Sequence, residues 1–152
     1  MRRAFTTLAV LPLIFTSSCG MFDAKIVTAC EDVIKERLRS PSNYQRVSIN
    51  REEKVLTKTD YFNYLYANVA SSPIREAKNQ QFERGELKPV TYSLTINYDA
   101  PNAYNAPIRS RSTCEYTNEQ GTDAGASEVT VIVDGKDQIT YLTDSLKAIK
   151  TN

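Results

Sequence analysis

Three cysteines carry most of the reactive chemistry in this 152-residue chain, which contains no histidine and no tryptophan. They are Cys19, Cys30 and Cys114. Without histidine the chain lacks the commonest general base and the commonest ligand of transition metals. The acidic segment Asp134–Asp137 lacks the further carboxylates of an EF-hand and is predicted to form a β-turn. The sequence therefore predicts a protein that is not an enzyme and holds no metal or cofactor.

The first eighteen residues have the features of a secretory signal peptide. Arg2 and Arg3 precede a run without acidic residues, and the centre of that run, residues 8–15, is apolar. This apolar stretch is shorter than the roughly 20 residues that a membrane-spanning helix needs. Residues 1–18 are therefore predicted to be a signal peptide, and residues 19–152 a single exported domain.

Cys19 stands at the end of that segment, directly after the small residues Thr16–Ser18. This arrangement resembles the signal of bacterial lipoproteins, in which the cysteine is diacylated and becomes the mature N-terminus. Three thiols in an exported protein leave one unpaired, unless one is acylated and the other two form a disulfide. The alternative is ordinary cleavage nearby, which leaves a free Cys19. We expect lipidation of Cys19, and Gly20 resembles the residue that follows the cysteine in lipoproteins sorted to the outer membrane, facing the periplasm.

The charge of the chain is nearly balanced, with 19 basic and 18 acidic side chains. Proteins that bind nucleic acids present clustered basic residues to the phosphates, so this balance argues against nucleic acid as a partner. The partners predicted here are the membrane, through the N-terminal lipid, and a protein of the cell envelope.

An N-terminal helix positions the second cysteine. Apolar residues recur at intervals of three and four between residues 26 and 38, which predicts an amphipathic helix over 23–39. Asp23 is its predicted N-cap, and Pro41 follows its end because the residue before a proline disfavours the helical conformation. Cys30 lies on the apolar stripe of this helix.

A sheet positions the third cysteine. Alternating residues predict strands at 45–49, 90–98 and 108–116, and the apolar run 129–133 adds a short fourth one. The fold class is therefore predicted to be α+β, with the N-terminal helix packed on a three- to four-stranded antiparallel sheet. The apolar residues between 139 and 149 fit either a strand or a helix, and a short C-terminal helix from about Leu142 is the favoured interpretation.

Cys114 lies on the strand face that also carries Ile108 and Tyr116. A disulfide from Cys30 to Cys114 is expected to join the helix to the sheet, because both cysteines face the predicted core. Closing so long a loop contributes about 4 kcal/mol to stability in chain-entropy estimates. The alternative is two buried free thiols.

Residues 59–84 interrupt the predicted strands with two helical stripes, which indicates a helical-hairpin insertion. Tyr61, Tyr64 and Asn68 occupy the helix face opposite the first apolar stripe, which consists of Phe62, Leu65, Tyr66 and Val69. Exposed tyrosines are enriched in protein interfaces, so these three residues form the predicted partner surface. The alternative is that the helix is buried on both sides.

Two segments resemble a broad group of small bacterial exported and phage-associated domains, most of which are uncharacterised. Residues Ile34–Tyr44 resemble the end of that group's helix and the Leu-Lys-Ser-Pro-Ser stretch that follows it. Residues Asn102–Cys114 resemble its Asn-aromatic-Gly loop, which leads into a strand ending in cysteine. Asn105 stands where glycine is usual, and asparagine tolerates the left-handed backbone of such a turn. The resemblance implies the helix-plus-sheet arrangement and carries no activity.

These features together predict a lipid-anchored cell-envelope protein that acts through protein–protein contact, as an accessory of a secretion, conjugation or exclusion system. The alternative is a periplasmic small-ligand-binding or inhibitor-type module that uses the concave face of the sheet. A pocket of a few hundred Å³ lined by Tyr92, Tyr98 and Tyr116 is the feature that would favour this alternative.

Overall fold

The computed structural model describes residues 23–102 and 104–150, so Cys19 and the predicted signal peptide lie outside the described residues. The fold is α+β, and its sheet has four antiparallel strands. In chain order the elements are α1 (Lys25–Arg37), a 3₁₀ turn (Pro41–Asn43), β1 (Gln45–Val55), α2 (Lys58–Asn68), α3 (Ser72–Glu83), β2 (Val90–Pro101), β3 (Pro107–Asn118), β4 (Ile132–Val133) and α4 (Gln138–Lys150).

The sheet follows chain order, β1-β2-β3-β4, and Leu94 of β2 lies between Arg51 of β1 and Cys114 of β3. Every second residue of β2 is buried, as expected for a strand whose one face packs on a core. These buried residues are Val90, Tyr92, Leu94, Ile96, Tyr98 and Ala100. The turn between β2 and β3 includes Asn105, whose φ of 62° is the expected left-handed conformation.

Two strands differ in length from their prediction. β1 continues beyond its predicted end at residue 49, through the charged segment 51–54, and ends at Val55. Charged side chains are tolerated there because β1 is an edge strand of the sheet, where they remain in water. The run 129–133 forms a strand only at Ile132–Val133.

Helix α1 and the sheet contribute to one hydrophobic core. Ile26, Cys30 and Val33 of α1 are fully buried in the same cluster as Leu94 and Ile96 of β2. The apolar stripe that predicted this helix is therefore the part of α1 that lies in the core.

The predicted disulfide between Cys30 and Cys114 is present and joins α1 to β3. Its Cα atoms are 6.0 Å apart, within the usual range for a disulfide. The two cysteines are 84 residues apart in the chain, so the bridge restricts the unfolded state strongly.

Helices α2 and α3 share a second, smaller core. It consists of the buried Leu56, Tyr61 and Leu65, with Tyr64, Val69, Phe82 and Leu87 packed against them. A backbone hydrogen bond from Leu56 N–H to Pro89 C=O at 2.9 Å joins the two segments that flank these helices, and one from Lys88 N–H to Glu119 C=O at 2.8 Å joins the second segment to the residue after β3. The predicted insertion 59–84 thus corresponds to two helices with their own cluster at one end of the sheet.

The outer helices begin differently from their prediction. Ala24, not Asp23, is the N-cap of α1, because the Asp23 carboxylate binds an arginine of β1 instead. Helix α4 begins one turn before Leu142, where the Asp137 carboxylate accepts a hydrogen bond from Thr140 N–H at 2.6 Å. Across residues 23–102 and 104–150, no helix combines the length and the apolar character that crossing a membrane requires.

Candidate functional site

Tyr61, the first residue of the predicted partner surface, is fully buried, so its predicted exposure is wrong. Its hydroxyl donates a hydrogen bond to Glu119 Oε1 at 2.8 Å, and its ring lies 5.2 Å from the ring of Phe82, centroid to centroid. Burial and the neighbouring Glu119 carboxylate raise the pKa of Tyr61. The buried hydroxyl of Tyr61 is satisfied because the carboxylate of Glu119, the residue after β3, accepts its hydrogen bond.

The other two residues of that predicted surface are not alike. Tyr64 is half-buried, and burial raises its pKa. Asn68 is exposed, but its amide donates to Tyr64 C=O at 2.8 Å within the same helix. The aromatic ring that α2 presents to solvent is Tyr66, which is 68% exposed and lies 4.7 Å from the guanidinium of Arg75. The three predicted residues therefore do not form one exposed patch.

A buried carboxylate on α1 is the strongest candidate for acid–base chemistry among the described residues, and its partners show that it is structural. Glu31 accepts two hydrogen bonds from Arg46, each 2.6 Å long, and one from the Tyr44 hydroxyl at 2.7 Å. Arg46 also binds the Asp23 carboxylate at 2.7 and 3.0 Å. Burial alone would raise the pKa of Glu31, but the hydrogen bonds from Arg46 and Tyr44 outweigh it and lower that pKa.

The face of the sheet that was expected to hold a small ligand is part of the core. Tyr92, Tyr98 and Tyr116 are all buried in the cluster that includes α1. One cavity of about 330 Å³ lies between α1 and residues 126–129, and one of about 420 Å³ lies beside the turn between β2 and β3. None of the three tyrosines lines either cavity. In the described part of the chain, no three cysteine or carboxylate side chains lie close enough together to hold a metal ion.

Helix α4 exposes an apolar stripe that was not predicted as a surface. The exposed fractions are 78% for Ile139, 51% for Leu142, 62% for Leu146 and 73% for Ile149. Contiguous exposed apolar side chains of this size are uncommon on proteins without partners and mark interaction sites. The spacing of three, four and three residues is visible in the sequence, but this segment also fits a strand, so periodicity alone did not identify the stripe.

Polar contacts attach the first part of α4 to the rest of the domain. The ring of Tyr141 lies 4.3 Å from the guanidinium of Arg37, and Gln138 Nε2 donates to Glu36 Oε2 at 2.6 Å. Asp144 pairs with Lys136 at 2.7 Å. The helix is therefore held by residues outside its apolar stripe, which leaves the stripe itself in solvent.

No protein-family model, curated protein or solved structure matches this chain. The resemblance to exported domains accordingly stays a prediction.

Proposed function

We propose that this chain is a lipid-anchored protein of the cell envelope that acts through protein–protein contact, as an accessory of a secretion, conjugation or exclusion system. The observation that supports a protein–protein contact is the α4 stripe, defined by Ile139, Leu142, Leu146 and Ile149. Four exposed aliphatic side chains in one row, on a helix fixed by polar contacts, favour a protein partner as their occupant.

The disulfide supports the proposed anchor. Cys30 and Cys114 are paired with each other, so Cys19 is the remaining cysteine of an exported chain. A lone thiol directly after a signal-like segment is best explained by acylation, because an unpaired thiol is a liability in an oxidising compartment.

The proposed anchor would hold the domain close to the membrane surface. Cys19 precedes Asp23 by four residues, and the Asp23 carboxylate is bound by Arg46 of β1. Four residues span at most about 14 Å when fully extended. The folded domain therefore has little freedom to move away from the bilayer, and we place it on the periplasmic face of the outer membrane.

Fatty-acid labelling of a Cys19→Ala variant tests the anchor. We expect the variant to incorporate no label and to leave the membrane fraction, because the thiol is the group that accepts the diacylglyceryl moiety. The matched control is the Cys30→Ala, Cys114→Ala double variant, which retains Cys19 and should still be labelled. Undiminished labelling of the Cys19→Ala variant would show that Cys19 is not the acylated residue.

Photo-crosslinking in the native envelope tests the contact. A photoreactive residue at Leu146, on the α4 stripe, should capture protein, whereas one at Thr140, which is exposed on another face of the helix, should capture much less. If Leu146 crosslinks to lipid alone, the stripe is a membrane surface and the proposed protein contact is wrong.

A further inference from the structure

The α4 stripe has an internal symmetry. Ile139 and Ile149 lie five residues on either side of Asp144, and Leu142 and Leu146 lie two residues on either side of it. The row therefore presents the same side chains at the same intervals in either direction along the helix. Intervals of three and four residues are also those of the a and d positions in a coiled coil, whose side chains pack into a facing helix.

We propose that α4 binds the α4 helix of a second copy of this chain in an antiparallel pair. In this pair a two-fold axis passes beside Asp144, so that Ile139 opposes Ile149 of the second copy and Leu142 opposes Leu146 of the second copy. A two-fold interface requires one surface to be complementary to itself. The symmetric stripe meets this requirement. A partner of unrelated sequence would not explain why the stripe is symmetric.

The charges around the stripe permit this pairing. Thr143 and Ser145 flank its centre and are uncharged, so the pair brings no like charges together at its middle. Asp144 already pairs with Lys136 of the same copy at 2.7 Å, and Tyr141 lies against Arg37. Asp144 and Tyr141 are thus engaged within their own copy, and the aliphatic row remains for the contact between copies.

The size of the stripe predicts that the pair is weak in dilute solution. Four side chains from each copy are far fewer than the roughly 20–30 residues that each partner contributes to a stable interface. Tethering both copies to one membrane raises their effective concentration and favours the pair. This gain from tethering rests on the proposed lipid anchor, whereas the pairing of the helices does not.

Complementary charges test the register in the full chain, purified in detergent at high concentration. Leu142→Lys or Leu146→Glu alone places a charge against a leucine in both central layers, and each variant should associate at least about tenfold more weakly than the wild type. When the two variants are mixed, the new lysine opposes the new glutamate in one layer and two leucines meet in the other. Sedimentation of the mixture should therefore show recovery of the pair. Thr140→Lys, on another face of α4, is the control and should associate like the wild type.

Three outcomes would overturn the proposal. If each variant dissociates and the mixture does not recover, the helices do not pair in the antiparallel register. If each variant still associates, another surface forms the pair. If the wild type is monomeric both in concentrated detergent solution and on vesicles, there is no pair. Failure of the lipid anchor would appear separately, as loss of the vesicle-bound protein with the detergent result unchanged.

A disulfide test covers the case in which a charged variant unfolds. One copy with Leu142→Cys and another with Leu146→Cys should form an intermolecular disulfide when mixed, because the two positions face each other in the antiparallel pair. Leu142→Cys mixed with Thr140→Cys should form much less. Equal crosslinking in the two mixtures would contradict the proposed register.

Discussion

Glu31 shows how a single buried side chain connects three parts of the chain. Its carboxylate is bound by Tyr44 and by Arg46, and Arg46 also binds Asp23, just before α1. A buried carboxylate of this kind is stable as an anion because its donors are charged or well directed. The same donors lower its pKa, so the ionisation of Glu31 is linked to folding.

This linkage predicts a specific loss of stability in acid. A carboxyl whose pKa is lower in the folded state than in the unfolded state stabilises the protein at any pH above the pKa of the unfolded state, which is about 4.3 for glutamate. This stabilisation is lost as the pH falls through the pKa of the folded state. The pKa of Asp23 is lowered in the same direction, chiefly by its hydrogen bond from Arg46. We therefore expect the free energy of unfolding, measured by urea denaturation, to fall progressively below about pH 5.

A Glu31→Gln variant separates this carboxyl from the others. It should be less stable than the wild type at pH 7, and its stability should decline less between pH 5 and pH 3. An Asp99→Asn variant is the control, because Asp99 is also bound by an arginine, the exposed Arg109, but lies outside the hydrophobic core. If the Glu31→Gln variant loses as much stability in acid as the wild type, other carboxyls dominate the acid response.

At the scale of the helices, two tyrosines of α2 are expected to contribute very differently to stability. Tyr61→Ala should destabilise the fold by about 3–5 kcal/mol, as aromatic truncations in cores do. Tyr66→Ala removes an exposed ring and should change the free energy of unfolding by less than about 0.5 kcal/mol. Thermal or urea unfolding of the two variants checks the difference. Equal stability of the two would mean that the hairpin does not contribute to the cooperative fold.

The same helix shows what could not be predicted from the sequence. The apolar stripe was placed on Phe62, Leu65 and Tyr66, whereas the buried stripe is Tyr61 and Leu65. Both patterns satisfy helical spacing. Which face of α2 is buried depends on Glu119, which lies 58 residues away from Tyr61 in the chain and accepts the hydrogen bond from its hydroxyl. Local periodicity contains no information about such a distant acceptor.

Elements with strong local patterns were predicted well. β2 and α1 each bury one face in the same hydrophobic core. That single buried face produces the strict alternation of β2 and the three- and four-residue spacing of α1. The length of β1 was missed because its residues are mostly exposed and carry no apolar alternation. The α4 stripe was missed for a different reason, since the segment fits a strand as well as a helix and the sequence pattern does not tell a solvent-facing apolar row from a buried one.

At the scale of the whole molecule, the disulfide is the strongest single constraint on the unfolded chain. Reducing it should lower the free energy of unfolding by about 4 kcal/mol, because the released loop regains its conformational freedom. Urea unfolding of the wild type with and without reductant measures this effect. The Cys19→Ala variant should respond to reductant as the wild type does, and a stability that reductant leaves unchanged would mean that the bridge restricts the unfolded chain little.

The bridge also determines which fragments remain together after a protease cuts the chain. Cys30 and Cys114 enclose β1, the helical hairpin and β2, so a single cut between them leaves both pieces in one covalent molecule. A single cut in the connection between β3 and β4 lies outside that ring, so the piece that carries α4 is then held by noncovalent contacts alone, such as the pairing of β4 with β3. After denaturation, a protein nicked in the hairpin would therefore keep its N-terminal and C-terminal parts linked, whereas one nicked after β3 would lose the helix that carries the apolar row.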